Sequence, residues 1–147
     1  VLDAVITLTR HKMELQNIRL VRNSSPSALM VKGDNNRMQQ TLLNLLFNAI
    51  EAMPAGGQLD VVSRADGQES KAIIEIRDTG SGISPDHLDH IFDPFFTTKK
   101  EGEGTGLGLS IVYGVINNHR GQIAVKSTEG EGTAFTLKIP LLKMESP

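Results

Sequence analysis

The succession of hydrophobic periods along these 147 residues predicts an α+β fold: a two-layer α/β sandwich, with a mixed, mostly antiparallel sheet and its helices on one face. Three observations lead there. A helical period recurs in well-separated stretches. β-type segments come in neighbouring pairs closed by turn sequences, and hairpins demand antiparallel pairing. The resulting order is helix, strands, helix, hairpin, loop, helix, hairpin, which no doubly wound parallel sheet produces.

Residues 1 to about 17 form an amphipathic helix, with Val1, Val5, Leu8, Lys12 and Leu15 roughly on one line. Residues 18–22 and 28–32 are short strands around the turn-forming Asn23-Ser24-Ser25-Pro26. Asp34 or Asn35 can N-cap a helix running to Met53, where Pro54 and Gly56-Gly57 end it. Strands at 58–64 and 70–78 flank Asp66-Gly67, a hairpin signal. Ser84-Pro85 suits the N-cap and first turn of a short helix to about Phe92. Residues 93–104 show no periodicity and form a long loop. Helical spacing returns with Leu107, Ile111, Val112, Val115 and Ile116 and stops at Gly121; a last hairpin joins 122–128 to 133–139.

Composition narrows the function. The chain is long enough to bury about 70 % of its unfolded surface as one domain. It has no cysteine, which removes disulfides, thiolate zinc sites and thiol catalysis. Fifteen basic against 17 acidic residues leave no basic footprint for nucleic acid. No apolar run reaches the roughly 18–20 residues of a membrane span. Ten of the 14 glycines fall between positions 80 and 132, so backbone freedom concentrates there.

Four segments could carry chemistry. In Asn44-Leu-Leu-Phe-Asn48-Ala-Ile-Glu51, the two asparagines and the glutamate lie within about 60° on one helix face. A solvated stripe would look similar, yet each Asn in a helix interior costs about 0.5–0.7 kcal/mol relative to Ala. Carboxamide oxygens are hard, neutral ligands suited to Mg²⁺ already balanced by phosphates. Asp78, opening Asp-Thr-Gly-Ser-Gly82, continues the apolar row Ala72, Ile74, Ile76. A buried carboxylate needs donors, and the exocyclic amino group of a base would serve; an Asx turn into the glycines is compatible with this. Gly102-Glu-Gly-Thr-Gly-Leu-Gly-Leu-Ser110 feeds glycines into a helix start, where exposed amides attract anions. It is neither a P-loop nor a dinucleotide fingerprint. Finally, Phe92-Asp-Pro-Phe-Phe-Thr-Thr-Lys99-Lys100 holds three of the six aromatics. Phe92 and Phe95 can anchor the loop on the core, while a lysine there could reach a terminal phosphate.

In this order, the segments closely resemble the ATP-binding catalytic domain of bacterial sensor histidine kinases, whose fold is the Bergerat type. Asn44–Met53 is similar to the N box, Asp78–Gly82 to the first glycine box, Phe92–Lys99 to the F box and Gly104–Gly108 to the second glycine box. Gly130-Glu-Gly-Thr-Ala-Phe135 is similar to the closing segment, and Asp-Pro-Phe-Phe-Thr-Thr-Lys resembles the nitrogen-regulatory type. The resemblance covers essentially the whole chain, 1–147, with 93–105 as an ATP lid and 1–17 leading in from upstream dimerisation helices.

The resemblance implies ATP and Mg²⁺ as cofactors, with Asn44 and Asn48 holding the metal. It makes Asn44, Asn48 and Lys99 the catalytic group. Asp78 would accept from the adenine amino group, with Gly82 and, through water, Thr133 in support. Asn48, Glu51, Ala52, Gly80, Ile83, Phe95, Thr97 and Lys99 would line the nucleotide, and Gly104, Thr105, Gly106, Leu107 and Gly108 its phosphates. The implied partners are ATP or ADP, the dimerisation and phosphoacceptor domain of the same kinase, and a downstream response regulator. The chain alone would be a cytoplasmic monomer.

Two departures stand out. His90 occupies a position where many members have arginine, and Arg120 replaces the first glycine of the usual His-Gly-Gly. A phosphoacceptor box is missing, so the acceptor histidine would lie elsewhere. ATP-hydrolysing relatives carry a water-activating glutamate four residues before the metal-binding asparagine; here that position is Asn44, which cannot take a proton. Asp78-Thr-Gly is also the aspartic protease triplet, but such chains are nearly all β and need two copies. A non-catalytic docking module is the remaining alternative, and it would show degenerate boxes.

Overall fold

The computed structural model describes residues 1–24, 29–94, 96 and 108–142. Helix α1 (Leu2–Leu15) leads into strand β1 (Ile18–Ser24), followed by α2 (Asn35–Glu51), β2 (Gly57–Asp66) and β3 (Lys71–Asp78). A single turn, α3 (Pro85–Leu88), precedes α4 (Gly108–Asn118), β4 (Gln122–Thr128) and β5 (Gly132–Pro140). The sheet order is β1-β2-β3-β5-β4, with β1 and β2 parallel and every other pair antiparallel. This is the mixed, mostly antiparallel two-layer arrangement that the sequence predicts, with α2 packed between α1 and α4.

Local chemistry fixes the elements. Asp34 caps α2, its carboxylate accepting from the Asn36 and Arg37 amides at 2.9 and 3.1 Å. Ser84 caps α3 by accepting from the Asp86 amide, with Pro85 in the first turn. The core draws Leu42, Leu45, Leu46, Ala49 and Ile50 from α2, Met53 from just beyond its end, and Val112, Val115 and Ile116 from α4. The sheet meets them with rows of side chains set by register. Val61, Ile76, Phe135 and Val125 make one such row across four strands, and Ser63, Ile74, Leu137 and Ile123 the next.

Three expectations need correction. The buried face of α1 is Val5, Ile6, Thr9 and Met13, whereas Leu8 and Leu15 are 60 % and 70 % exposed. Thr9 reads as polar in the sequence, but its hydroxyl donates to the Val5 carbonyl at 3.0 Å and so enters the core satisfied. Lys12 instead stands over the Phe47 ring, 5.3 Å from its centroid, on the α2 side. Residues 29–32 make no strand: Val31 forms only an isolated bridge to Leu141, because β1 pairs in parallel with β2 rather than closing a hairpin. The short helix expected to reach Phe92 ends at Leu88 and gives way to turns.

The β2–β3 connection also differs in detail. It is a four-residue turn in which Asp66 accepts from the Gln68 and Glu69 amides, and Ser70, not Gly67, takes the left-handed conformation at φ 54°.

Candidate functional site

One end of the sheet breaks the apolar pattern. On its helix-facing side the last register row reads Leu59, Asp78, Thr133 and Ser127, across β2, β3, β5 and β4. Three adjacent strands therefore place polar side chains where the preceding rows place Ile76, Phe135 and Val125.

Asp78 is the centre of that row and is only 5 % exposed. Its Oδ1 accepts from the Gly80 amide at 2.9 Å and from the Thr133 amide at 3.3 Å. The first is the Asx turn expected of Asp before glycines; the second ties β3 to β5. Burial pushes the carboxyl above the usual carboxylate range, and the two amides offset part of that rise. Both donors share Oδ1, so neither occupies Oδ2, which on an ionised carboxylate can accept from a ligand.

The turn after β3 wraps tightly against its neighbours. The Ser81 amide donates to the Ala52 carbonyl at 3.1 Å, anchoring the turn to the end of α2. Gly80 has no room for more: a Cβ there would sit 2.4 Å from the same carbonyl oxygen. Gly82 adopts φ 72° and passes so close to Thr128 that a Cβ would lie 2.2 Å from its carbonyl. On the hairpin side, Gly130 donates to the Ser81 carbonyl at 2.7 Å and the Ile83 amide to Ser127 Oγ at 2.7 Å.

Above this floor runs the polar stripe of α2. Asn44 and Asn48 are half-buried and Glu51 is exposed, while Ala52 ends the helix beside Gly80. Asn44 Nδ2 donates to the Gly108 carbonyl at 3.5 Å, joining α2 to the first turn of α4. That contact uses one of the two Nδ2 protons and leaves the Asn44 carbonyl oxygen without a partner of its own among the described residues. Two carboxamide oxygens on one helix face fit a hard cation whose charge phosphates would balance. Among the described residues no group of three His, Cys, Asp or Glu side chains could hold a metal by itself.

The structure links Ala52, Asp78, Gly80, Gly82, Ile83 and Thr133 through contacts at one end of the sheet, and separately links Asn44 on α2 to Gly108 at the start of α4; Asn48 and Glu51 lie on α2 between Asn44 and Ala52. Phe95, Thr97, Lys99, Gly104, Thr105, Gly106 and Leu107, with most of the expected lid, lie outside the described residues. Phe92 anchors as expected, its ring 5.5 Å from Tyr113 and 6.5 Å from Phe135. His90 is paired with Asp93 at 3.0 Å.

Sequence reasoning missed Ser127. Its signal was present: it follows Ile123 and Val125 on the inward face of β4, so a polar residue replaces an apolar one. It missed as well the contact of His119, which links the C-terminal end of α4 to the N-cap of α2. Its Nδ1 meets the Val115 carbonyl at 2.7 Å and its Nε2 accepts the Asp34 amide at 3.1 Å.

A buried carboxylate, glycine turns and a carboxamide helix stripe around one sheet end define a nucleotide-binding α/β domain. Comparison with known proteins agrees. Residues 33–143 match the family described as histidine kinase-, DNA gyrase B- and HSP90-like ATPase. The sensor histidine kinase ZraS of Salmonella typhimurium is 39 % identical over 137 residues, 93 % of this chain and 29 % of that protein. Sporulation kinase A of Bacillus subtilis is 36 % identical over 136 residues, 92 % of this chain and 22 % of that protein. Among solved structures, the nucleotide-free catalytic domain of the histidine kinase ThkA superposes with a TM-score of 0.83 at 34 % identity, covering 95 % of this chain and 90 % of that one. Full-length ShkA in complex with AMPPNP gives 0.84 at 27 % identity, covering 99 % and 30 %. The chain belongs to the histidine kinase-, DNA gyrase B- and HSP90-like ATPase family, and within it to the histidine kinase type. It spans less than a third of the length of the curated relatives quoted.

Proposed function

We propose that this chain binds Mg-ATP and acts as the catalytic domain of a sensor histidine kinase, passing the γ-phosphoryl group to a histidine on a separate dimerisation domain. The observation that carries the reading is the Asp78 carboxylate, buried at the sheet end with Oδ2 left for a ligand donor. Asp78 accepts the adenine amino group, while Thr133 and the Gly80–Gly82 turn shape the base pocket. Asn44 and Asn48 face the phosphates and hold Mg²⁺, whose bound charge would neutralise them. Lys99, Phe95, Thr97 and the glycines from Gly104 to Gly108 complete the phosphate side.

Phosphoryl transfer asks mainly for positioning and charge neutralisation. A neutral imidazole is already a nucleophile and needs no strong base. That suits Asn44, which cannot deprotonate water, and favours transfer over hydrolysis. The parent would be a two-component kinase with this domain on the cytoplasmic side, signalling to a response regulator. None of the helices among the described residues is long and apolar enough to cross a membrane.

The test is transfer from γ-labelled ATP to a separately supplied dimerisation domain carrying the acceptor histidine. The wild-type chain should yield an acid-labile phosphohistidine, and Asn48→Ala should slow its formation about a hundredfold through misplaced phosphates. Rapid ATP hydrolysis by the chain alone, with no labelled histidine, would contradict the reading.

A further inference from the structure

Ser127 Oγ sits among three polar neighbours, and counting its protons fixes the role of the third. A serine hydroxyl has one proton and two lone pairs. The Ile83 amide donates to it at 2.7 Å and fills one lone pair. The Gly132 carbonyl lies at 3.0 Å and can only accept, so the serine proton goes there. The remaining neighbour, Thr133 Oγ1, is at 2.8 Å. All three contacts hold a proton together only when Thr133 donates to Ser127. Were Ser127 to donate to Thr133 instead, two facing oxygens at the Gly132 carbonyl would have no proton between them.

The consequence lies in the pocket. With its proton turned to β4, the Thr133 hydroxyl offers only lone pairs to whatever lies over the row, directly or through a water. Asp78, in register with Thr133, offers Oδ2 as an acceptor too. The floor of the site is thus made of acceptors on neighbouring strands. An amino group satisfies such a floor, whereas a ring carbonyl at the same place meets lone pairs with lone pairs.

We propose that Ser127 is a positioning residue that holds Thr133 as an acceptor and so tunes the pocket for a 6-aminopurine against a 6-oxopurine. This rests on the reading of Asp78 as the group that meets the base. Ser127 touches no nucleotide in this scheme; it acts through Thr133.

The experiment is calorimetric titration of ATP and of inosine triphosphate into five proteins: wild type, Ser127→Ala, Ser127→Thr, Thr133→Val and the Ser127→Ala/Thr133→Val double variant. Ser127→Ala frees the threonine hydroxyl to donate, so the ATP-over-inosine preference should fall about fivefold, the worth of one hydrogen bond. Ser127→Thr keeps the hydroxyl and should restore the preference. On the Thr133→Val background, Ser127→Ala should shift the ratio by less than about twofold, since the coupling passes through that hydroxyl. Should the alanine variant fail to fold, Ser127→Cys carries the same expectation, because a thiol accepts more weakly at similar volume. The inference is overturned if the ratio is unchanged in Ser127→Ala, or if it shifts equally with valine at 133. Both nucleotides weakening in parallel would leave Asp78 as the base contact and reduce Ser127 to a brace for the Ile83 turn. A wild type with no preference would remove the adenine reading itself, and this inference with it.

Discussion

Burying Asp78 costs the fold stability once its carboxyl ionises. In the unfolded chain its carboxyl titrates near the reference value of about 3.9. Burial raises the folded value, against the pull of the Gly80 and Thr133 amides. The sign follows: its contribution to stability is present below the unfolded pKa and is lost as pH rises through the folded one. Asp78→Asn cannot ionise and keeps a carbonyl oxygen for both amides. Without nucleotide at pH 7 the variant should therefore melt above wild type, and the gap should close as the pH falls towards 4. A variant that melts lower at pH 7 would show that the ionised carboxylate is stabilised by the fold after all. That a polar group breaks the apolar row at this position was legible from Ala72, Ile74, Ile76, Asp78. Ser127 was legible only as a polar break in the row Ile123, Val125; its contact with Thr133 depends on the register between β4 and β5, which the hairpin signal alone leaves open.

At the scale of elements, the helices test which rules the sequence obeys. Met13→Ala on the buried face of α1 should cost about 2–5 kcal/mol, while Leu8→Ala on the exposed face should stay within about 0.5 kcal/mol. Chemical denaturation of the two variants separates the observed face from the one that simple apolar spacing selects. The misreading has a physical source: periodicity counts side-chain polarity, and Thr9 hides its hydroxyl within its own helix. At the other end of the layer, α4 is followed by Arg120 in the left-handed region, at φ 59°. Arg120→Gly should stabilise the chain by about 1 kcal/mol, since an L side chain there costs roughly that much. An unchanged or lower denaturation midpoint would mean that the Arg120 side chain contributes an offsetting contact. The failed strand at 29–32 belongs to this scale too. Turn residues at 23–26 advertised a hairpin, but the partner of β1 is β2, far along the chain, and local signals cannot report a parallel pairing.

For the whole molecule, the order of periods was enough to give the layers, because hairpin signals exclude a wound parallel sheet and leave few alternatives. The site was legible where one segment holds its own chemistry, as with the Asn44–Glu51 stripe and the Asp78–Gly82 turn. It was opaque where it depends on segments meeting: Gly80 against Ala52, Gly82 against Thr128, and Asn44 reaching Gly108. Those contacts make α2, the β3 turn and the β4–β5 hairpin one frame around the carboxylate. The frame should bind a base in a fixed orientation and gain stability from it, as any ligand of the folded state alone does. The most direct measurement is calorimetric titration of ATP and GTP, with and without Mg²⁺, into wild type and Asp78→Asn. Wild type should bind ATP in preference to GTP, and Asp78→Asn should lose about tenfold or more of its ATP affinity, as expected for a hydrogen bond to a charged group. Equal binding of ATP and GTP by wild type, or an Asp78→Asn variant that binds ATP unchanged, would contradict the assignment of this sheet end as an adenine pocket.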